Sequence, residues 1–432
     1  MVAWPIILGS VAQNIITVTD TAFLGRVGEV ALGASAIGGI FYLAIAMLGW
    51  GFGIGTQIII SRRYGEKKLS EIGLVVEHSL YFLVPLAILM FILIFLVSGE
   101  FLGFILKSGD IQSASNEYLH YRLYGILFAY INMAFRALYI GIGRTKVISW
   151  TTIVMAVVNT LFDYLLIFGK FGFPELGIKG AAIASVMAEF AAMLTFFVYA
   201  RLDKKLVPFH IFKFHSFSKQ LYFRIIKVAS PMMFQNFFSI GVWFLFFVLV
   251  ESLGEHALAI SNIIRSVYVV IMLPIWGFAS ATNTLIGWVI GQGKEGEVMN
   301  VLKKVINLSF FSVLLLIGLI LIAPEKVLSI YTNNMLLIKD ALPVLYVVSG
   351  SAMFIAVGFI LFNGVSGTGK TNVSLTLETV ILFIYLAYSY SLIKLFDITV
   401  AQIWTAEYIY GGLLAVLSYL YLRSGRWKGH GV

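Results

Sequence analysis

The chain has no cysteine in its 432 residues. Disulfides and thiolate metal sites are therefore excluded. Its six histidines form no HxxxH-type pair, so that metal-site pattern is missing as well. Charge is also scarce: Asp, Glu, Lys and Arg make up 12% of the chain, against about 25% in a soluble domain. So few charges could not cover the surface of a water-soluble protein of this length. Apolar residues take their place, at 60% of the chain and a mean hydropathy of +0.95. This composition describes an integral membrane protein and rules out most soluble enzymes and every disordered class. The net charge of +9 looks at first like a nucleic-acid signal. Its Lys and Arg, however, fall in short loops between apolar stretches, where they set membrane orientation. No nucleic-acid partner is expected. A signal peptide is not expected either, since the first stretch lacks a basic n-region and a small-residue cleavage site, and it carries Asp20.

A spanning helix needs about 20 mostly apolar residues. Twelve stretches qualify: 4–24, 30–60, 73–98, 115–141, 146–169, 178–201, 226–251, 256–290, 303–323, 341–366, 371–394 and 398–422. Runs such as Leu80 to Val97 show no alternation, so the spans are helices and not barrel strands. The loops after the even-numbered spans, with the C-terminal tail, hold about 20 of the 30 Lys and Arg. Both termini are thus placed on the cytoplasmic side of the inner membrane.

Sliding the chain by 226 residues matches its two halves without a gap over a long stretch. Gly28-Glu29 meets Gly254-Glu255, Tyr42 meets Tyr268, and Trp50-Gly51-Phe52 meets Trp276-Gly277-Phe278. Gly141 and Gly143 meet Gly367 and Gly369. Unrelated apolar helices share Leu and Ile; they do not align Trp-Gly-Phe at one fixed offset. Each half has six spans, an even number, so both enter the membrane from the same side and the repeat is parallel. The fold predicted is an all-α membrane protein of twelve helices in two six-helix bundles, 1–200 and 228–423. A basic, partly amphipathic segment, 201–227 (Phe209, Ile211, Phe212, Phe217), links them along the cytoplasmic surface, and 424–432 forms a cytoplasmic tail. Such pairs of bundles usually enclose a central cavity and alternate its access.

Ionisable groups inside spans are the sharpest signals. Each costs around 2.5–3.5 kcal/mol at a helix centre, so an uncompensated one tends not to persist. Asp20 lies in span one. Asn159 and Asp163, four apart in span five, share a helix face. Gln13 stands two turns before Asp20. Together these residues form a candidate pocket for a proton or a small hard cation bound through oxygens. Glu189 and Glu407 recur in Ala-Glu-aromatic contexts in the two halves, which predicts a shared packing or hydrogen-bonding role. Arg136, Arg265 and Glu378 are read as paired charges, and Pro274 as a static kink in span eight. At the 226-residue offset Asp20 faces Phe246 and Asp163 faces Ser389. Cation binding is therefore predicted in the N-terminal bundle alone.

One motif invites a false reading. Gly364-Val365-Ser366-Gly367-Thr368-Gly369-Lys370-Thr371 fits the P-loop pattern, but a phosphate cradle follows a buried strand, whereas spans flank this one on both sides. The matching segment, Gly141 to Lys146, lacks the pattern, so the reading is a tight cytoplasmic turn.

The run Val18-Thr19-Asp20-Thr21-Ala22-Phe23-Leu24-Gly25-Arg26, preceded by Pro5 and Gln13, resembles the first helix of multidrug and toxic compound extrusion (MATE) transporters. The Gly-x-Gly-[Arg/Lys]-Thr turns, Asn159-x-x-x-Asp163 and Gly180-Ala181-Ala182-Ile183-Ala184-Ser185 are similar to further motifs of that family. The resemblance covers essentially the whole chain. It implies a monomeric, cation-coupled antiporter, not an enzyme, that exports drugs or organic cationic or amphipathic compounds across the lipid bilayer, with H⁺ or Na⁺ as coupling ion and no other cofactor. It also implies roles for Asp20, Gln13, Asn159 and Asp163 as the polar cluster of the N-terminal bundle, with Ser185 keeping a hydroxyl where the family often has Thr. Glu189 is a possible addition to that set. The NorM-like branch uses acids in helices seven and ten. Here span seven has only the terminal Glu251 and span ten has none, which looks more like the DinF-like branch. The chain also begins almost at span one, without the family's usual short tail, so a start further upstream is expected. The alternative function is a lipid-linked oligosaccharide flippase of the same superfamily. Twelve spans and the acids Asp20 and Asp163 speak against it.

Overall fold

The computed structural model describes residues 3–106, 108–213 and 215–429. Positions 1–2 and 107 of the predicted first bundle, 214 of the linker and 430–432 of the tail lie outside the described residues. Among the described residues, twelve helices are long and apolar enough to cross a membrane. They are α1 Ala3–Val27, α2 Glu29–Gly65, α3 Ser70–Ile105, α4 Gly109–Gly141, α5 Lys146–Ile167, α6 Ile178–Leu202, α7 Lys219–Glu251, α8 Glu255–Gly291, α9 Glu295–Ile322, α10 Met335–Gly367, α11 Thr371–Leu395 and α12 Val400–Arg423. Among the described residues there is no strand. Pro274 sits inside α8, which runs on without a break.

The chain divides into two compact units, Met1–Met233 and Phe234–Val432, and the division falls inside α7. In the first, α5 packs against α1 and α6, and α2 against α4. In the second, α10 packs against α8, α9 and α12 around a core that includes Phe246, Ile264, Val348, Ala352 and Trp404. Lipid tails are as apolar as leucine, so helices associate in a bilayer by close van der Waals fit and need small residues where backbones meet. The repeat shows this twice over. A Cβ on Gly141 would come 2.7 Å from the Ile60 side chain and 3.2 Å from the Gln57 carbonyl. A Cβ on Gly367 would come 3.0 Å from Ile286 and 3.3 Å from the Asn283 carbonyl, the equivalents of Ile60 and Gln57 at the 226-residue offset.

The segment 201–227 packs onto the first unit. Its 3-10 turn Lys204–Phe209 is opened by Asp203, whose carboxylate accepts from the Lys205 N–H at 3.0 Å and pairs with Arg144. Leu206 and Phe209 are buried, whereas Val207 and Phe217 are exposed. Glu77 of α3 accepts from the His215 backbone N–H at 3.0 Å and lies 2.9 Å from its Nδ1. Ser218 N–H donates to His78 Nε2 at 2.8 Å, which leaves the ring proton on Nδ1 to donate to the Leu74 carbonyl at 2.8 Å.

The start of α7 comes closer still. A Cβ on Gly55 would overlap the backbone of Ala229, whereas one on Gly39 of the same helix would meet nothing. Gly55→Ala is therefore expected to cost about 1–3 kcal/mol by overpacking and to lower the melting temperature of the purified protein. Gly39→Ala should leave it unchanged or raise it, since alanine favours helix by about 1 kcal/mol over glycine. Equal melting temperatures for the two variants would remove the close approach as a source of stability.

Candidate functional site

Three of the residues singled out in the sequence meet in the first unit. Helix α5 carries Asn159 and Asp163 one turn apart, and neither side chain has any exposed surface. Helix α1 lies along α5, tied near its start by the Ser149 hydroxyl donating to the Pro5 carbonyl at 2.6 Å. This brings Asp20, half-buried, against Asp163, with the two carboxyl groups in hydrogen-bonding reach of each other. With its amide nitrogen facing the acids, Asn159 donates to Asp20 Oδ1 at 2.9 Å and to Asp163 Oδ2 at 3.3 Å. The buried Asp163 Oδ1 has no protein partner. Two carboxyl groups this close do not both stay ionised unaided: one takes a proton, or a cation lies between them. The arrangement can thus hold one small positive charge reversibly.

Ser185 lies on the buried small-residue face of α6, with Ala181, Ala182, Ala184 and Ala188, but its hydroxyl makes no hydrogen bond to the acids. Gln13 is exposed and its side chain does not reach them. Neither residue is drawn into the cluster.

A second group on the same unit escaped the sequence analysis. Arg122 of α4 forms a fork on Glu189 of α6, with Nη1 donating to Oε2 at 2.9 Å and Nη2 to Oε1 at 2.6 Å. The Tyr42 hydroxyl reaches both Glu189 oxygens at 2.9 Å, and the guanidinium lies 3.6 Å from the Tyr42 ring centre. Gly125 makes room, because a Cβ there would overlap the Glu189 carboxylate. Arg122 also acts electrostatically on Asp20, and the buried Tyr118 interacts with Asp20, Asp163, Arg122 and Glu189, so the ion pair borders the acid cluster. The signal in the sequence was an arginine and a glutamate inside spans of one half, but 67 residues separate them.

The other intramembrane charges differ from expectation. Among the described residues, Arg136, Arg265 and Glu378 form no ion pairs. Arg136 lies over the Trp50 ring at 4.9 Å and Arg265 over the Phe247 ring at 5.3 Å. An aromatic face attracts a guanidinium by about 0.5–2 kcal/mol, which offsets part of the cost of its burial. Glu407 accepts from Tyr268 and Tyr385, each at 3.0 Å. The Tyr268–Glu407 bond repeats Tyr42–Glu189, the shared role predicted for the two glutamates, but without an arginine.

The P-loop-like segment is the turn between α10 and α11. Thr368 N–H returns to the Gly364 carbonyl at 3.2 Å and Gly369 N–H to Ser366 at 2.9 Å. Gly369 has φ +88° and Gly143, its counterpart in the first unit, φ +75°. The amides a phosphate would need are spent on ending a helix.

The MatE family model matches the chain twice, over residues 5–165 and 231–391, two stretches that begin 226 residues apart. The probable multidrug resistance protein NorM of Thermotoga maritima is 26% identical, over 100% of this chain and 92% of that protein. The probable multidrug resistance protein YoeA of Bacillus subtilis is 25% identical, over 76% of this chain and 72% of its own length. Among solved structures, the outward-facing conformation of a multidrug resistance MATE family transporter superposes with a TM-score of 0.92 at 19% identity, covering 99% of this chain and 96% of that one. A MOP superfamily transporter from Pyrococcus furiosus, described as having a binding pocket of reversed polarity, superposes with a TM-score of 0.90 at 19% identity, over 98% of this chain and 94% of that one. With twelve spanning helices and a family match over both halves, the chain belongs to the MatE family and is a membrane transporter, not an enzyme.

Proposed function

We propose that this transporter is a cation-coupled antiporter that exports organic cationic or amphipathic compounds across the cytoplasmic membrane by alternating access. The observation that carries this reading is the Asp20–Asn159–Asp163 cluster with its unpartnered Asp163 oxygen. An ion drives a conformational change only if it binds the two states differently. A buried acid pair that needs a positive charge for neutrality has that property. Inward movement of one H⁺ or Na⁺ down about 100 mV releases roughly 2.3 kcal/mol, and at about 1.36 kcal/mol per decade this supports roughly a fiftyfold gradient of a neutral substrate. One coupled charge is enough for useful efflux of a neutral substrate, whereas one-for-one exchange with a monovalent cationic substrate is electroneutral and draws on the ion's concentration gradient alone.

In this reading Asp20, partly exposed, receives the ion and Asp163 retains it, with Asn159 holding both. Gln13 and Ser185 serve at most as neighbours of the path. Export of drugs is supported by the names of the NorM and YoeA relatives. A principal coupling site in the first unit supports a likeness to the DinF-like branch, although those relatives carry the NorM name. The Lys and Arg distribution supports cytoplasmic termini in the inner membrane, and we take the working form to be a monomer of two bundles joined through 201–227.

Three outcomes test the proposal. Asp20→Asn should abolish efflux driven by an imposed pH or Na⁺ gradient in proteoliposomes while the protein still folds and inserts; wild-type efflux in that variant would end the reading. Lys370→Ala should leave gradient-driven transport intact, and the purified protein should show no transport-linked ATP hydrolysis. Glu189→Ala strands the Arg122 guanidinium, and removing one partner of a buried pair costs about 3–5 kcal/mol. Its melting temperature should fall well below that of wild type, and an unchanged value would deny the pair its anchoring role.

A further inference from the structure

The second unit holds two carboxyl groups that the coupling reading does not use. Glu378 of α11 and Glu407 of α12 are each 2% exposed. Glu378 Oε1 accepts from Ser239 at 2.8 Å and from Tyr410 at 2.9 Å, while Oε2, equally buried, has no partner. Glu407 divides its oxygens between Tyr268 and Tyr385, each at 3.0 Å. The Tyr385 and Tyr410 rings lie 6.0 Å apart, so the two halves of the network adjoin.

No base answers these acids. Among the helices of this unit, α8 carries Tyr268 and Arg265, and Arg265 rests on Phe247. Helix α11 brings Tyr385 and Tyr388, the latter bonded to Thr405 at 2.9 Å. Helix α12 brings Tyr408 and Tyr410. Helix α10 carries Lys339 and Asp340 at its start, where Asp340 lies 2.8 Å from His256. Among the described residues no Lys, Arg or His forms an ion pair with Glu378 or Glu407. The corresponding Tyr–Glu pair of the first unit has Arg122, a fixed counter-charge. Hydroxyl donors lessen the cost of a buried carboxylate but do not cancel its charge, and an isolated buried charge neutralises itself where it can. A hard metal cation would need about six oxygens closing on one point. A proton needs a single oxygen.

We propose that the second unit carries its own proton-binding site, a carboxyl–tyrosine network of Glu378, Glu407, Tyr268, Tyr385 and Tyr410 in which the unpartnered Oε2 of Glu378 is the proton acceptor. This departs from the expectation of binding in the first bundle alone, and it does not depend on Asp20 being the coupling acid.

The test is infrared difference spectroscopy of the full chain in lipid nanodiscs through a pH step, in an Asp20→Asn/Asp163→Asn background. A buried carboxyl C=O band should persist there, should move when glutamate carries ¹³C at its side-chain carboxyl but not when aspartate does, and should vanish on adding Glu378→Gln with loss of about one proton taken up per chain. Should Glu378→Gln fail to fold, Glu378→Asp replaces it, and the band should then follow aspartate labelling and no longer glutamate labelling. The proposal falls if the double variant shows no buried carboxyl change, if the band follows aspartate labelling, if Glu378→Gln leaves it intact, or if it responds to Na⁺ and not to pH. Efflux by the Asp20 variant tests the first-unit reading separately, so either can fail without the other.

Discussion

A charged side chain within a spanning helix must be compensated by protein groups or by a bound ion, and much of what distinguishes the two halves of this chain follows from how that need is met. Lipid offers no counter-ion and no hydrogen bond. Arg122 and Glu189 meet it permanently, with two charge-assisted bonds and the Tyr42 hydroxyl closing the fork. Arg136 and Arg265 meet it with aromatic faces. Asp20 and Asp163 meet it only in part, through one shared amide. The group left unsatisfied, Asp163 Oδ1, marks where a mobile charge has a reason to bind.

Duplication set the frame on which these solutions differ. What the copies share is steric: Gly141 over Ile60 and Gly367 over Ile286, left-handed turns at Gly143 and Gly369, and a tyrosine from the second helix of each unit bonded to a glutamate from the last. The glycines among them set how closely helices approach. Other ionisable side chains that project from that frame differ between the copies: Phe246 stands at the offset of Asp20 and Ser389 at that of Asp163.

The frame was largely legible in the sequence. Helical spans announce themselves by length and hydropathy, and a repeat of Trp-Gly-Phe at one offset requires no structure to see. Asn159 and Asp163 were legible because a helix places residues four apart on one face. Asp20 was legible as a charge in an apolar run. What stayed hidden were partners brought together from distant helices. Arg122 and Glu189 lie 67 residues apart, and Tyr268 and Glu407 lie 139 apart, so local spacing carries no trace of either bond. Gln13 shows what spacing along one helix leaves open. Its spacing from Asp20 predicted a common face, but the neighbours that build a site stand beside Asp20 on α5, not two turns away on α1. The linker was legible only in part: its amphipathic pattern showed that it has an apolar side, and only the structure shows Leu206 and Phe209 buried in protein while Val207 and Phe217 stay exposed.

The magnitudes explain why one carboxylate can be a switch and another a fixture. Placing an acid at mid-membrane costs around 2.5–3.5 kcal/mol on insertion scales, and a single charge crossing about 100 mV yields roughly 2.3 kcal/mol. The two are of the same order, so an acid neutralised by a passing proton or cation can be loaded and emptied by the energy at hand. Breaking a buried, doubly bonded ion pair costs about 3–5 kcal/mol, more than that supply for one charge. Glu189, locked to Arg122, is therefore a poor site for a coupling ion despite its place inside a span. Acids held only by amides and hydroxyls keep their neutralisation reversible.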